Sequence, residues 1–376
     1  MNTTDLLTAS RTSSRAGSAR GDGAALALSK PLVSVVVPAF NEAAIVEKNL
    51  AALCQYMASL EDEYRWEIVV VNDGSSDGTG RLVEAFAGTR SNITVLHHHV
   101  NFGLGQALKF AFKHCRGEYI VTMDLDLSYS TDHIRRLLTR IRETRAKVVV
   151  ASPYMKGGDI SNVPWLRRTL SVWANRFLSA TAKGTLSTLT GMVRVYDARF
   201  LKTLDLRAMG MEINPEVIYK AMMLRGRIEE IPAHLDWRLQ NAAGPKRKSS
   251  MRVLRHTMST LFSGFLFKPF MFFIIPGLGL LLFSLYVNAW MLVHFFAAYQ
   301  KFPEYAWFFD RASAAVATAY QQAPHTFLVG LMSMTLAIQF ISLGILALQS
   351  KRYFEEIFHL GTTIYKTSRD DGRTRP

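Results

Sequence analysis

Apolar positions in this chain change their period several times. VSVVV (Val33–Val37), WEIVVV (Trp66–Val71), NITVLHHH (92–99), EYIVTM (118–123) and KVVVAS (Lys147–Ser152) are short runs rich in β-branched residues, and they predict strands. Between them the spacing turns helical: in NEAAIVEKNLAALCQYMASL, with Asn41 as its expected cap, in NFGLGQALKFAFKHC, and in the segment beginning at Thr131. Strands that are continuously apolar and separated by helices predict an α/β fold whose mostly parallel sheet is covered on both faces. Ligands then bind outside the carboxyl ends of the strands. Those ends carry Pro38–Glu42, Asn72–Thr79, His99–Gly105 and Asp124–Ser128, so the polar residues gather where the fold predicts a site.

After Ser152 the pattern loosens. Trp165–Ala182 and Met211–Gly226 read as helices, Arg227–Leu235 as a late strand, and Met251–Phe267 as a basic amphipathic helix of the interfacial kind. Two long apolar stretches follow, Phe270–Tyr299 and Thr326–Ser350. No Lys, Arg, Asp or Glu lies between Lys268 and Lys301 or between Arg311 and Lys351. Each stretch exceeds the roughly 20 apolar residues that cross a bilayer core, so the chain reads as an integral membrane protein.

Charge sets the expected orientation. The chain carries a formal +14, and from Asp236 to Lys268 seven Lys/Arg face the single Asp236. Lys351 and Arg352 follow the second apolar stretch, whereas the intervening loop balances Lys301 and Arg311 against Glu304 and Asp310. The positive-inside rule puts both flanks, and with them both termini, in the cytoplasm of a plasma- or inner-membrane type of bilayer. The basic excess reads as a footprint on anionic lipids. No basic–aromatic recognition motif accompanies it, which argues against nucleic acid. The Ser/Thr/Gly/Ala/Arg-rich start has no apolar run long enough for a signal peptide. Cys54 and Cys115, both in predicted helices, read as packing thiols of a reducing compartment.

The expected organisation is a disordered tail (1–30), a catalytic α/β domain (31–235) and a basic juxtamembrane segment (236–268). A membrane helix (269–300), an external loop (301–325), a second membrane helix (326–350) and a cytoplasmic tail (351–376) follow.

The candidate chemistry centres on MDLDLS. Asp124 and Asp126 end a buried strand, two residues apart. Alone they would repel each other and raise at least one pKa; a divalent cation removes that cost. Oxygen ligands of this kind suit Mg²⁺ or Mn²⁺, which commonly bridge carboxylates to substrate phosphates. The other reading is a turn and helix-capping cluster before Thr131. His97, His98 and His99 do not make a metal site, because consecutive strand residues point to alternate faces.

VVPAFNEA, VVNDGSSDGT, NFGLGQAL and MDLDLS fall in that order at consecutive strand ends. Together they resemble the family 2 glycosyltransferases of GT-A fold, over roughly Pro31 to Leu235. With two apolar spans after the domain, the chain is most similar to the polyisoprenyl-phosphate glycosyltransferases of the dolichol-phosphate mannose synthase type. The resemblance implies a UDP- or GDP-sugar donor, a polyprenyl phosphate acceptor, Mg²⁺ or Mn²⁺, transfer with inversion, and homo-oligomers. It places Pro38, Phe40, Asn41 and Glu42 along the nucleoside, Asp73 on the base, and Gly103 and Gly105 where the backbone approaches the donor. Asp124 would lie beside ribose and metal, and Asp126 would ligate the metal, with Ser128 where many members have a Gln ligand. Arg167 and Ser171 match an Arg/Ser pair used on the lipid phosphate, Arg194 would replace a missing cation, and Glu216 stands near a Glu that the family often has.

The pattern departs from the family at ASPY, where Pro153 occupies the position of an expected Arg, and at STLTGM (Ser187–Met192), which has no carboxylate. The loss of the Arg at Pro153 favours a second reading, transfer to a hydroxyl of a glycolipid or polysaccharide. A third is a catalytically idle membrane scaffold of the same fold, against which the intact Asp124/Asp126 pair speaks. A processive polymer synthase is not indicated, because no Gln-x-x-Arg-Trp signature is present.

Overall fold

The computed structural model describes residues 30–163, 186–236, 269–303 and 307–371, and between the first two spans Trp165, Thr169, Val172, Asn175 and Arg176. The chain divides into two compact units, Met1–Thr260 and Leu261–Pro376.

In the first unit, strands β1 (Leu32–Ala39), β2 (Arg65–Asp73) and β3 (Ile93–His98) alternate with helices α1 (Val46–Ala58), α2 (Thr79–Ala87) and α3 (Leu104–His114). Then come β4 (Tyr119–Thr122), α4 (Asp132–Thr144), β5 (Val148–Ser152), β6 (Asp159–Ser161), β7 (Arg194–Asp197), α5 (Ala198–Leu201), α6 (Ile213–Met223), β8 (Ile228–Pro232) and β9 (His234–Asp236). Seven strands form one sheet in the order β3-β2-β1-β4-β7-β5-β8, and β6 pairs with β9 separately. The β1–β2, β2–β3, β1–β4 and β5–β8 pairs are parallel. β7 alone runs antiparallel, to both β4 and β5. That reversed strand was not anticipated from the sequence; RVYD is too short to reveal its direction.

The continuous valine runs are explained by burial on both faces. Val33, Val35 and Val37 enter one core with Leu50 and Leu53 of α1 and Ile134 and Leu137 of α4. Val36, Val69 and Val71 are equally buried on the other face, where α3 packs on β1 and β2. Each such side chain contributes about 1.5–3 kcal/mol.

The strand order creates the site. The chain winds outward from β1 through β2 to β3, then returns to lay β4 on the other side of β1. The crevice between the carboxyl ends of β1 and β4 is therefore the topological switch point, where open α/β sheets bind ligands.

Among the described residues, the second unit has three helices. Helices α7 (Pro269–Tyr299) and α9 (Pro324–Asp371) contain two segments long and apolar enough to cross a membrane, Met271–Tyr299 and Pro324–Phe358. Little of either is buried by protein, and Leu282, Phe283, Leu331 and Leu346 point outward. The expected loop between them contains a further helix, α8 (Phe308–Gln322), and α9 continues about twenty residues beyond the expected end of its apolar stretch. The amphipathic segment expected at Met251–Phe267 lies outside the described residues.

Candidate active site

Beyond β1, half-buried Pro38 and Phe40 lead into Asn41, whose φ of 55° is rare for a residue with a side chain. The helix expected to start at Asn41 starts at Val46 instead. Asn41 turns its side chain across the crevice edge, where Oδ1 accepts from the Ser76 amide at 2.9 Å while its own amide donates to Ser75 Oγ at 3.0 Å. The Glu42 amide donates to Thr79 Oγ1 (2.8 Å) and the Ala43 amide to Asp77 Oδ2 (3.0 Å). Short polar side chains thus pair the loop after β1 with the loop after β2. Burial pushes the Asp77 pKa up, but hydrogen bonds from Thr79 and the Ala43 amide outweigh it and hold the carboxyl below its ordinary range.

Asp73, at the end of β2, is buried and turns toward the neighbouring loop. Its Oδ1 accepts from the Phe102 amide at 3.0 Å and pairs with His98 Nδ1 at 2.7 Å; Oδ2 accepts from the Gly103 amide at 2.8 Å. It thereby clamps the turn that opens α3. Gly103 adopts φ +92°, and a Cβ on Gly105 would lie 2.6 Å from the Ala208 carbonyl oxygen. The side-chain-free faces of both glycines thus meet the 208–210 backbone. His97 and His98 diverge as the strand period requires: His97 bonds Asn72 and Glu84, and His98 bonds Asp73.

At the switch point, the Met123 amide donates to the Val36 carbonyl (3.0 Å) and holds the end of β4 against β1. Asp124 follows immediately. The chain then turns: the Leu127 amide reaches back to the Asp124 carbonyl at 3.2 Å, and Leu127 sits at φ 49°. A bulky residue held there costs of order 1–3 kcal/mol, and such strain clusters at functional sites. The turn is held from both sides. Buried Asn49 of α1 donates Nδ2 to the Leu125 carbonyl at 2.9 Å, and the Asp236 amide donates to the Ser128 carbonyl at 2.9 Å. Asp126 is buried and accepts the Ser128 amide on Oδ1 at 2.9 Å. Burial and the Asp126 charge push the Asp124 pKa up to about 7.

A carboxyl pair this uncomfortable fits a divalent cation, which would relieve both causes. Asp124 and Asp126 would be the residues to hold it, with buried Ser128 beside them. Among the described residues no third His, Cys, Asp or Glu joins the pair. The remaining positions of a Mg²⁺-type ion are then left to substrate oxygens and water, as is usual for that ion.

Glu216 and Arg194 are placed differently. Buried Glu216 accepts the Arg207 and Ala208 amides at 2.8–3.1 Å and pairs with Lys220 Nζ at 2.7 Å. Arg194, 0% exposed, donates to the Gly191, Asn214 and Leu189 carbonyls at 2.6–2.7 Å. Each brackets a loop. Arg167 and Ser171 lie outside the described residues. Sequence reading passed over Asn49, whose signal was an amide in the apolar face Val46, Leu50, Leu53. It also passed over Glu230, which accepts the Ser187 and Thr188 amides from a strand read only for its pattern.

A mostly parallel sheet with one reversed strand, its carboxylate pair standing where β1 and β4 part, defines a GT-A-like α/β fold. Residues 34–205 of the chain match the model of Glycosyl transferase family 2. Among curated relatives it is 29% identical over 222 residues to a dolichyl-phosphate beta-glucosyltransferase of Trichomonas vaginalis, an alignment covering 54% of this chain and 65% of the relative. It is 25% identical over 227 residues to the dolichol-phosphate mannosyltransferase of Pyrococcus furiosus, covering 60% and 62%. The chain thus spans somewhat under two thirds of the length of these relatives. Among solved structures, glucosyl-3-phosphoglycerate synthase of Mycobacterium tuberculosis, crystallised with Mn²⁺, UDP and phosphoglyceric acid, aligns with a TM-score of 0.46. The two are 20% identical, and the alignment covers 64% of this chain and 80% of that one.

Proposed function

We propose that this protein is a membrane-anchored, inverting glycosyltransferase that moves one sugar from a UDP- or GDP-sugar to a polyprenyl phosphate at the cytoplasmic leaflet. The observation that carries the reading is the Asp124/Asp126 pair at the switch point. The names of the relatives and the two apolar helices support the lipid acceptor.

In this reading the loops after β1 and β2 enclose the nucleoside, with Phe40, Asn41 and Glu42 along it. Asp124 and Asp126 would hold Mg²⁺ or Mn²⁺, which when bound would neutralise charge on the diphosphate. An acceptor phosphate oxygen attacks the anomeric carbon from the face opposite the diphosphate. The new C–O bond forms as the old one breaks, and its electron pair leaves with the nucleoside diphosphate. A lipid monophosphate has a second pKa of about 6, so it is largely ionised near neutral pH and needs no general base. The engagement of Glu216 with Lys220 and two amides is consistent with that. A hydroxyl acceptor would need a base, and Pro153, standing where the family's Arg is expected, is the residue that favours that alternative.

The test incubates purified protein with polyprenyl phosphate, Mg²⁺ or Mn²⁺ and a panel of labelled UDP- and GDP-sugars, with Asp126→Ala alongside. Label from one donor in the organic phase, lost in the variant and on chelation, is the expected result. Donor binding without lipid labelling would move the assignment to a hydroxyl acceptor or a scaffold.

A further inference from the structure

Helix α8 divides into three faces. Ala315 and Ala319, fully buried, pack with Ala298 at the end of α7. On the same face, Arg311 donates Nε to the Tyr299 carbonyl at 3.1 Å and lays its guanidinium 4.1 Å from the Tyr299 ring centroid. Phe309, Val316 and Tyr320, spaced seven and four residues apart, form a second face and are exposed, as is Trp307 just ahead of the helix. Asp310, Ala317 and Gln321 are exposed on the third.

The direction of α8 follows from its two ends. Glycines let α7 and α9 approach closely: Gly277 faces Ile341, Gly330 faces Asn288, and Gly344 faces Ile274. All three pairs share one antiparallel register, which carried forward sets Pro324 level with His294. Helix α8 starts beside Tyr299, where Phe308 and Arg311 touch it, and ends at Gln322, next to Pro324. From Tyr299 to His294 is about 8 Å along α7, whereas α8 is about 22 Å long at 1.5 Å per residue. Helix α8 therefore lies across α7 and α9, capping the ends of both.

We propose that α8 is an in-plane interfacial helix, with the Trp307/Phe309/Val316/Tyr320 face inserted among lipids and the Asp310/Ala317/Gln321 face in water. The inference rests on α7 and α9 spanning a bilayer. Given that, contacts with the ends of both spans fix α8 at the level where apolar core meets headgroups. Aromatic rings are favoured at that level, and an amphipathic helix lies flat there. The occupant of the exposed stripe is then lipid. A second protein chain would have to displace lipid to reach it.

The test uses the full chain in nanodiscs, in a Cys54→Ser/Cys115→Ala background, with a nitroxide placed singly at Phe309→Cys, Val316→Cys, Ala317→Cys or Gln321→Cys. Every labelled position is exposed, so the labels leave the buried face intact. Oxygen and a water-soluble nickel chelate report on each label. The expected result is an oxygen-to-nickel accessibility ratio several-fold higher at 309 and 316 than at 317 and 321, with 309 and 316 at similar depth. Equal nickel access at all four would overturn the proposal, placing α8 in water, and equal protection from both reagents at 309 and 316 would assign that face to a protein partner. Depth increasing steadily along α8 would overturn it too, making the helix a dipping segment. Labels at Leu282→Cys and Leu331→Cys calibrate the bilayer; nickel access there would instead remove the membrane premise.

Discussion

Two groups of buried charge in the α/β unit make an instructive contrast. At the switch point Asp124 and Asp126 stand together, and burial with like charge leaves Asp124 with a pKa near 7. On the far side of β4, Arg194 and Glu216 are buried at least as deeply, yet each meets its complement: three carbonyls for the guanidinium, two amides and an ammonium for the carboxylate. A buried charge with a full set of partners is a structural bracket. A buried charge whose neighbour carries the same sign is held at a cost, and that cost is recovered when a cation arrives. The contrast separates residues that look alike in the sequence.

The contrast can be broken most sharply by removing one member of each group. In the activity assay above, Asp126→Ala should lower transfer by at least about 100-fold, since neutralising leaving-group charge is worth several kcal/mol. Its melting temperature should move little, because relief of the repulsion offsets the lost hydrogen bond from the Ser128 amide. Arg194→Met should do the reverse. It strands three buried carbonyls and should lower unfolding free energy by roughly 3–5 kcal/mol, read by chemical denaturation. A melting temperature that falls for Asp126→Ala and holds for Arg194→Met would invert the assignment.

Gly105→Ala probes the packing of the 208–210 loop. The new methyl would sit 2.6 Å from the Ala208 carbonyl oxygen, and overpacking of this kind costs about 1–3 kcal/mol. A loss of stability with donor affinity nearly unchanged would mark the glycine as a packing position; lost donor binding at full stability would mark it as a donor contact.

The smallest effect concerns pH. Burial raises the Asp197 pKa, but Lys147 at 2.7 Å and the Phe200 amide outweigh it, so the folded pKa lies below the ordinary value of about 3.9. Its stabilising contribution is then complete above that value and is lost as pH falls through the folded pKa. Asp197→Asn should therefore be less stable than the parent at pH 6, with the gap closing below about pH 4. A gap independent of pH would show that the charge of the Asp197 carboxylate contributes nothing to it.

The sequence by itself determined the alternation of strand and helix, because residues buried on both sheet faces must be continuously apolar. It also determined the two long apolar helices, and the position of Asp124 and Asp126 just past a strand end. Those signals are local: a run of valines, a charge-free stretch, a pair of carboxylates two residues apart. Only the tertiary structure decided that β7 runs backwards and that Asn41 reaches across to Ser76 rather than capping a helix. It likewise decided that Asn49 holds the Asp124–Asp126 turn and that Glu216 and Arg194 bracket loops. Each of these depends on partners far away in the chain. A polar side chain's role is set by what surrounds it after folding, and spacing along one chain does not encode that.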